Sequence, residues 1–239
     1  AMTGGKRGVV ATGGRMQFRR FAIYHLPGGA LGDFGAGWLG WDARARRRTE
    51  RPGGLPADAA LLTEVPRRYG FHATLKAPFR LAEGWHVGDV ALALRLVCDH
   101  LAPFWLELEL RTDWGFVSLR PRHQPPALLA LESSVVTRLD EFRAPLSPDE
   151  YDRRRPDTLP AQARRHLDHW GYPFVLDLFH YHLTLSGPLR PGPAEALRDA
   201  LLPHLQPLIA RPMPVASVAL LGEDEAGYFH LIEDVALRG

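Results

Sequence analysis

The chain has 239 residues, 46% of them hydrophobic and 23% charged, with a formal net charge of +2. This is an ordinary globular composition, long enough for one large domain or two small lobes. The lone cysteine, Cys98, excludes an intramolecular disulfide and a cysteine-based zinc site, and no apolar run approaches the ~18–20 residues of a membrane span. Arginine supplies nearly all of the 29 basic residues, a mild excess that fits an anionic substrate without requiring one.

Residues 1–15 are Gly-rich and basic and lack the apolar centre of a signal peptide. They read as a flexible arm or a non-native extension, with the fold starting near Met16 and a cytoplasmic location expected. Arg20 to Pro27 reads as a first strand. Ala30 to Trp41 reads as a short helix weakened by glycines, and Asp42 to Pro56 as a basic loop. A helical turn over Ala57 to Glu64 leads into Tyr69-Gly-Phe-His-Ala-Thr-Leu-Lys-Ala-Pro-Phe79, a strand. Gly88-Asp89 looks like a helix N-cap, followed by the apolar stripe Val90, Leu94, Val97, Cys98 and Leu101. Phe104 to Arg111 alternates as one strand and Phe116 to Arg120 returns as its hairpin partner.

Pro126 to Phe142 carries a helical stripe, 143–150 reads as a loop, and Arg153-Arg154-Arg155 as a solvated basic run. Pro160 to Trp170 reads as a helix. Then the strand motif recurs as Phe179-His-Tyr-His-Leu-Thr-Leu-Ser-Gly-Pro-Leu189. A helix with stripe Ala194, Leu197, Leu201 and Leu205 follows, expected to be bent or short because Pro203 lies inside it. Strands over Pro214 to Leu221 and Tyr228 to Val235 complete the chain. The unit strand–helix–strand–strand thus occurs twice, over about 69–120 and about 177–235, around a helical insert of about 126–175. An internal repeat of this kind says more about architecture than a single motif.

Each repeat opens on His-x-Thr, His72/Thr74 and His182/Thr184. Strand side chains alternate, so the imidazole and the hydroxyl share a face. Two such strands side by side offer two histidines and two threonines. That set suits opening of a cyclic phosphodiester. One imidazole takes a proton from attacking water, another gives one to the leaving ring oxygen, and hydroxyl donors meet the phosphoryl charge. No step requires a metal or a cofactor. A single His-x-Thr is ordinary strand sequence; the pairing within a repeat is what points to a site. His180-Tyr-His182 invites a metal reading, but too few further ligands accompany it. His180 reads instead as a neighbour that packs on or tunes His182, and His25, His86, His100, His123, His204 and His230 as surface or incidental. Lys76, two beyond Thr74, is expected on the same face and within reach of the phosphate, whereas the second copy has Ser186 there, so the site is expected to be asymmetric.

The two His-x-Thr motifs resemble those of the two-histidine (2H) phosphoesterase superfamily, which includes bacterial RNA 2′,3′-cyclic phosphodiesterases and plant ADP-ribose cyclic phosphodiesterases. Arg20-Phe-Ala-Ile-Tyr24, Arg68 to Phe79, Phe142-Arg-Ala-Pro-Leu146 and Trp170-Gly-Tyr-Pro-Phe174 further resemble a branch of phosphonate-metabolism proteins, over nearly the whole chain from Met16. The resemblance implies an α+β, bilobal, RNA-ligase-like (LigT-like) fold, with two pseudo-symmetric β-α-β-β units and antiparallel sheets flanking a central cleft. It implies His72 and His182 as the catalytic pair and Thr74 and Thr184 as phosphate ligands; Arg143, which lies within one of the resembling motifs, Lys76 by its strand parity, and Tyr69 by its place at the loop edge, are expected as further substrate contacts. The implied function is metal-independent cyclic phosphodiesterase activity on a small sugar or nucleotide, with ribose 1,2-cyclic phosphate in phosphonate catabolism as a candidate substrate. The competing expectation is a non-catalytic binder of RNA ends or of a phosphorylated metabolite. No membrane partner is expected.

Overall fold

In a computed structural model of the chain, residues 16–239 are described; the expected arm at 1–15 lies outside them. In chain order the strands are Arg20–His25 (β1), Trp41–Asp42 (β2), Arg47–Arg48 (β3), Ala73–Phe79 (β4), Phe104–Leu106 (β5), Leu108–Arg111 (β6), Ser118–Pro121 (β7), Leu183–Thr184 (β8), Met213–Val215 (β9), Ser217–Glu223 (β10) and Phe229–Ala236 (β11). The helices are Gly29–Leu39 (α1), Ala59–Leu62 (α2), Val87–Cys98 (α3), Pro126–Arg138 (α4), Pro148–Arg153 (α5), Ala161–Trp170 (α6) and Pro191–Ile209 (α7).

The fold is α+β with antiparallel sheets in two lobes. One sheet has the order β11-β10-β1-β4 and the other β6-β7-β8, and a short β5-β9 pair joins the repeats. The two repeats exchange hairpins. The first His strand, β4, lies in the sheet that holds the second repeat's β10 and β11, and the second His strand, β8, pairs with the first repeat's β7. Both His strands are edge strands, which leaves one side of each free to face a cleft. The stretch read as one strand from Phe104 is divided for this purpose: Phe104–Leu106 pairs with β9 and Leu108–Arg111 with β7.

β1 has both edges paired, with β10 and β4, and both faces buried, one in each of two hydrophobic clusters. Phe21 and Ile23 enter the main core, while Ala22 and Tyr24 join a second cluster with Trp41, Leu221 and Phe229. That alternation is the period of a strand. Asp89 caps α3 from the third helical position, accepting a hydrogen bond from the His86 backbone N–H at 2.8 Å, so the helix starts slightly earlier than Gly88-Asp89 suggested. α7 is not short: it runs 19 residues through Pro203 and Pro207. Both prolines sit on the exposed face, and the buried Ala194, Leu197, Leu201 and Leu205 hold the helix against the core.

The glycines of α1 have a packing purpose. A Cβ on Gly35 would lie 2.1 Å from the Phe71 ring, the residue immediately before His72. Helix α1 also carries Trp38, whose indole N–H donates to the Leu185 carbonyl at 2.7 Å and so ties the second His strand to the same helix. Gly35→Ala is expected to cost ~1–3 kcal/mol by overpacking, measured by urea unfolding, whereas Gly53→Ala, with nothing within 4 Å of its added methyl, leaves the midpoint essentially unmoved.

Candidate active site

His72 is delivered by a backbone device. A 3-10 turn, Arg67–Tyr69, ends at Gly70 with φ 77° and ψ 177°, a conformation essentially reserved to glycine. The Gly70 carbonyl accepts a hydrogen bond from His72 Nδ1 at 2.9 Å. A carbonyl only accepts, so Nδ1 holds the proton and the neutral ring presents Nε2 as an acceptor. Thr74 Oγ1 lies 3.1 Å from that Nε2 and donates to it. The Tyr24 ring stacks on the imidazole with centroids 3.9 Å apart, and Tyr69 lies beyond at 6.1 Å.

The second copy repeats the device. His182 Nδ1 donates to the His180 carbonyl at 2.8 Å, again two residues back, so His180 is the neighbour that orients His182. Here Trp114 and Phe116 flank the ring, with centroids at 5.6 and 6.0 Å, in place of a stacked tyrosine. Among the described residues no hydrogen bond joins Thr184 to His182, so the two halves differ in their ground-state bonding as well as in residue type.

Burial pushes the His72 imidazole down to about 4; the Gly70 carbonyl opposes this and the charge of a protonated His182 adds to it. Burial also lowers His182, opposed by the His180 carbonyl and reinforced by Arg120 and His180. Both rings are therefore predominantly neutral near pH 7, with Nε2 unprotonated.

One cavity of about 350 Å³ is lined by His72, Thr74, His182 and Thr184, with Tyr69 at its edge. It opens on one side into an apolar chamber of about 400 Å³ walled by Trp114, Phe116, Tyr172 and Phe174. Among the described residues no group of three or more His, Cys, Asp or Glu side chains is placed to hold a metal ion.

Lys76 and Arg143 do not join the site. β4 carries irregularities against β1: Tyr24 pairs with Thr74 but Ile23 pairs with Lys76, so Leu75 is an extra residue and the alternation slips. Lys76 consequently turns away from the cavity, is buried to 4% exposure, and reaches Asp140 at 3.4 Å and the Val136 carbonyl at 3.5 Å. Burial lowers its ammonium to about 8, with Asp140 opposing. Arg143 binds the same Asp140 at 2.8 Å, and also the His169 carbonyl, beneath Gly171. Lys76, Asp140 and Arg143 form a buried tie that fixes the insert to β4.

Sequence reasoning did not set Tyr24 against His72, nor Trp114 and Phe116 against His182, and it missed two arginines of the cavity. Tyr24 faces His72 because it lies opposite Thr74 in the sheet; its parity along β1 was readable, but not the strand beside it. Arg20 and Arg154 line the same cavity, the latter from the run read as solvated. His25 and His230 are buried rather than superficial. Tyr181 Oη and His25 Nδ1 share a hydrogen bond at 2.7 Å, joining the end of β1 to the approach of β8.

Lys76→Met is expected to leave KM within about twofold and stability equal or higher, because Asp140 keeps Arg143 and no ammonium remains to desolvate; Michaelis kinetics and urea unfolding read the two. Acid lability is a second expectation. Burial holds His25 at about 4 when folded against ~6.5 unfolded. The unfolded chain therefore takes up that proton first, and stability present above pH 6.5 is lost as pH falls toward 4, on the order of 2–3 kcal/mol for this residue. Unfolding free energies measured from pH 7 to 4 in wild type and His25→Asn check it, the variant showing the shallower loss.

The chain is similar to known proteins over most of its length. The curated "Ribose 1,5-bisphosphate phosphokinase PhnN" of Laribacter hongkongensis (strain HLHK9) is 33% identical over 210 residues, spanning 87% of this chain and 49% of that one. Its namesake from Janthinobacterium sp. (strain Marseille) is 30% identical over 218 residues, 87% and 48% of the two chains. The chain thus spans about half the length of the curated relatives it matches. Among solved structures it is similar to E. coli LigT complexed with 3'-AMP, at 14% identity and a TM-score of 0.44 over 93% of this chain and 100% of that one. It is also similar to a structure described as a phosphoesterase, at 14% identity and a TM-score of 0.39 over 92% and 99%. By a family match running over residues 74–230, the chain belongs to the family described as "Protein of unknown function (DUF1045)".

Proposed function

We propose that the protein is a cyclic phosphodiesterase that opens a cyclic phosphate on a small phosphorylated sugar by paired histidine catalysis. One observation carries the reading. Two imidazoles, each with Nδ1 bound to the carbonyl two residues back, line a single cavity that also holds Thr74 and Thr184. In the reaction, water oxygen attacks phosphorus as the bond from phosphorus to the ring oxygen breaks. Nε2 of one imidazole takes the water proton, and the other imidazolium gives its proton to the departing ring oxygen. The threonine hydroxyls donate to the non-bridging oxygens, which requires Thr74 to leave His72 Nε2 when substrate enters. Tyr69 closes the cavity edge. The relatives named as ribose 1,5-bisphosphate phosphokinases support a phosphorylated ribose as the substrate class, and ribose 1,2-cyclic phosphate, with a place in phosphonate breakdown, is the first candidate.

The chemistry needs the histidine pair to hold one proton, and the two sites titrate as a coupled pair. Because burial lowers both rings, kcat/KM is expected to be bell-shaped with its alkaline limb below ~6.5, the value for free imidazole. Bound phosphate favours the imidazolium and moves the kcat profile to higher pH. His72→Ala and His182→Ala are each expected to lower kcat by ~10²–10⁴-fold with an unchanged circular dichroism spectrum. Phosphorus NMR of ribose 1,2-cyclic phosphate, and in parallel of nucleoside 2′,3′-cyclic phosphates, with EDTA present, reads the reaction directly. Full activity in either variant overturns the mechanism, as does turnover that appears only when metal is restored; binding without turnover of any substrate would make the protein a carrier.

A further inference from the structure

The approach to the second His strand loses its backbone partner just before His182. β7 and β8 run antiparallel, with Ser118 opposite Thr184 and Leu119 opposite Leu183. Continued in that register, Pro121 falls opposite Tyr181. Proline has no N–H with which to extend a ladder, and residues 179–182 lie outside any strand. Yet Phe179 and Tyr181 are buried, at 5% and 1% exposure, and their backbone groups need partners.

One half-buried side chain serves both residues. Gln124 Nε2 donates to the Phe179 carbonyl at 2.9 Å, and Gln124 Oε1 accepts from the Tyr181 backbone N–H at 2.7 Å. The amide orientation is forced, since a carbonyl only accepts and a backbone N–H only donates. A primary amide carries the donor and the acceptor of a peptide group, so Gln124 takes the place of a neighbouring strand on either side of His180. It is itself held from both directions. The Arg122 N–H donates to the Glu107 carbonyl at 2.8 Å, and Pro125 and Pro126 open α4 immediately afterwards, which restricts the backbone of the residue before them.

The bond to Tyr181 bears directly on the histidine. The Tyr181 N–H and the His180 carbonyl belong to one planar, rigid peptide unit and point in opposite directions. Gln124 thus holds one end of the peptide whose other end accepts from His182 Nδ1 at 2.8 Å. A bonded N–H also makes its carbonyl a stronger acceptor. The first copy orients its carbonyl through the positive φ of Gly70; His180, at that place in the second copy, has no positive φ. We propose that Gln124 is the positioning residue of His182: by fixing the His180–Tyr181 peptide it keeps the proton on Nδ1 and leaves Nε2 free to act. The consequence for turnover rests on the phosphodiesterase reading; the consequence for the tautomer does not.

The test reads the tautomer directly, by nitrogen NMR of protein labelled with ¹⁵N-histidine at a pH where both rings are neutral, with signals assigned from His72→Ala and His182→Ala. In wild type both rings are expected to carry the proton on Nδ1. In Gln124→Ala, where water can satisfy the two freed backbone groups, His182 is expected to become a mixture of tautomers while His72 stays as it was. In the same variant kcat is expected to fall by ~10–100-fold, the usual cost of losing a group that orients a functional histidine, with KM within about threefold. Gln124→Asn, whose amide stops one methylene short, is expected to move both readouts less and in the same direction, and serves if the alanine variant fails to fold. A wild-type His182 tautomer in whichever of the two folds, or a shifted tautomer with kcat intact, overturns the positioning role and leaves the phosphodiesterase reading standing. No turnover of any cyclic phosphate by wild type, with the His182 tautomer still shifting in Gln124→Ala, overturns the reaction and sustains the hold of Gln124 on His182.

Discussion

An imidazole whose Nδ1 is already bonded offers a reaction only its Nε2. The Nδ1–carbonyl bond to the residue two earlier fixes both catalytic-candidate rings here, and much of the surrounding structure serves that bond. Gly70 takes its positive φ so that its carbonyl points at His72. Tyr24 supplies the stacked face, and β1 is buried on both sides to hold Tyr24 in place. The bond also sets direction in pKa: the carbonyl favours the protonated ring, burial disfavours it more strongly, and the balance leaves a neutral ring ready to accept a proton.

The two copies are alike in backbone and unlike in surroundings. His72 is stacked on Tyr24, with Tyr69 nearby and Thr74 on its free nitrogen, whereas His182 sits beside Trp114 and Phe116 with no such bond. In-line displacement asks for one acid and one base, and a duplicated strand can serve both roles once its neighbours diverge. The cavities flanking the pair diverge in the same sense, apolar and aromatic toward His182, arginine-lined beyond Tyr69. Such asymmetry gives a small substrate a single orientation.

The repeat, the strand parity of His72 and Thr74, and the stripes of α3, α4 and α7 were all legible in the sequence, because each depends on a local period. What failed depended on something non-local. Lys76 was placed by counting two from Thr74, and one extra residue at Leu75 reversed it; a bulge is fixed by the partner strand and leaves little trace in the bulged one. Arg143 was expected at the phosphate because of the motif around it, but Asp140 claims it, and it proved to be a tie within the insert. Arg154 looked solvated because a basic run usually is, and only the docking of α5 through Glu150 turns it inward. Pro203 seemed to forbid a long helix, yet on the solvent side a proline costs a hydrogen bond without disturbing the packed stripe. His25 gave no signal, since its partner, Tyr181, stands far away in sequence.

The exchange of hairpins between the repeats has a consequence for how the chain acquires its structure. β1 begins at Arg20 and pairs with β10, which ends at Glu223, and β4 completes a sheet whose other strands come from the second repeat. Neither repeat contains a full sheet of its own. During synthesis the first His strand emerges long before β10 and β11 exist, so its lobe closes only when nearly the whole sequence is available. Folding is thus dominated by contacts distant in sequence, which slows it and leaves strand edges transiently open. The same wiring means that the two histidines are brought together only in a chain that has folded throughout, and a partly folded molecule holds neither half of the site.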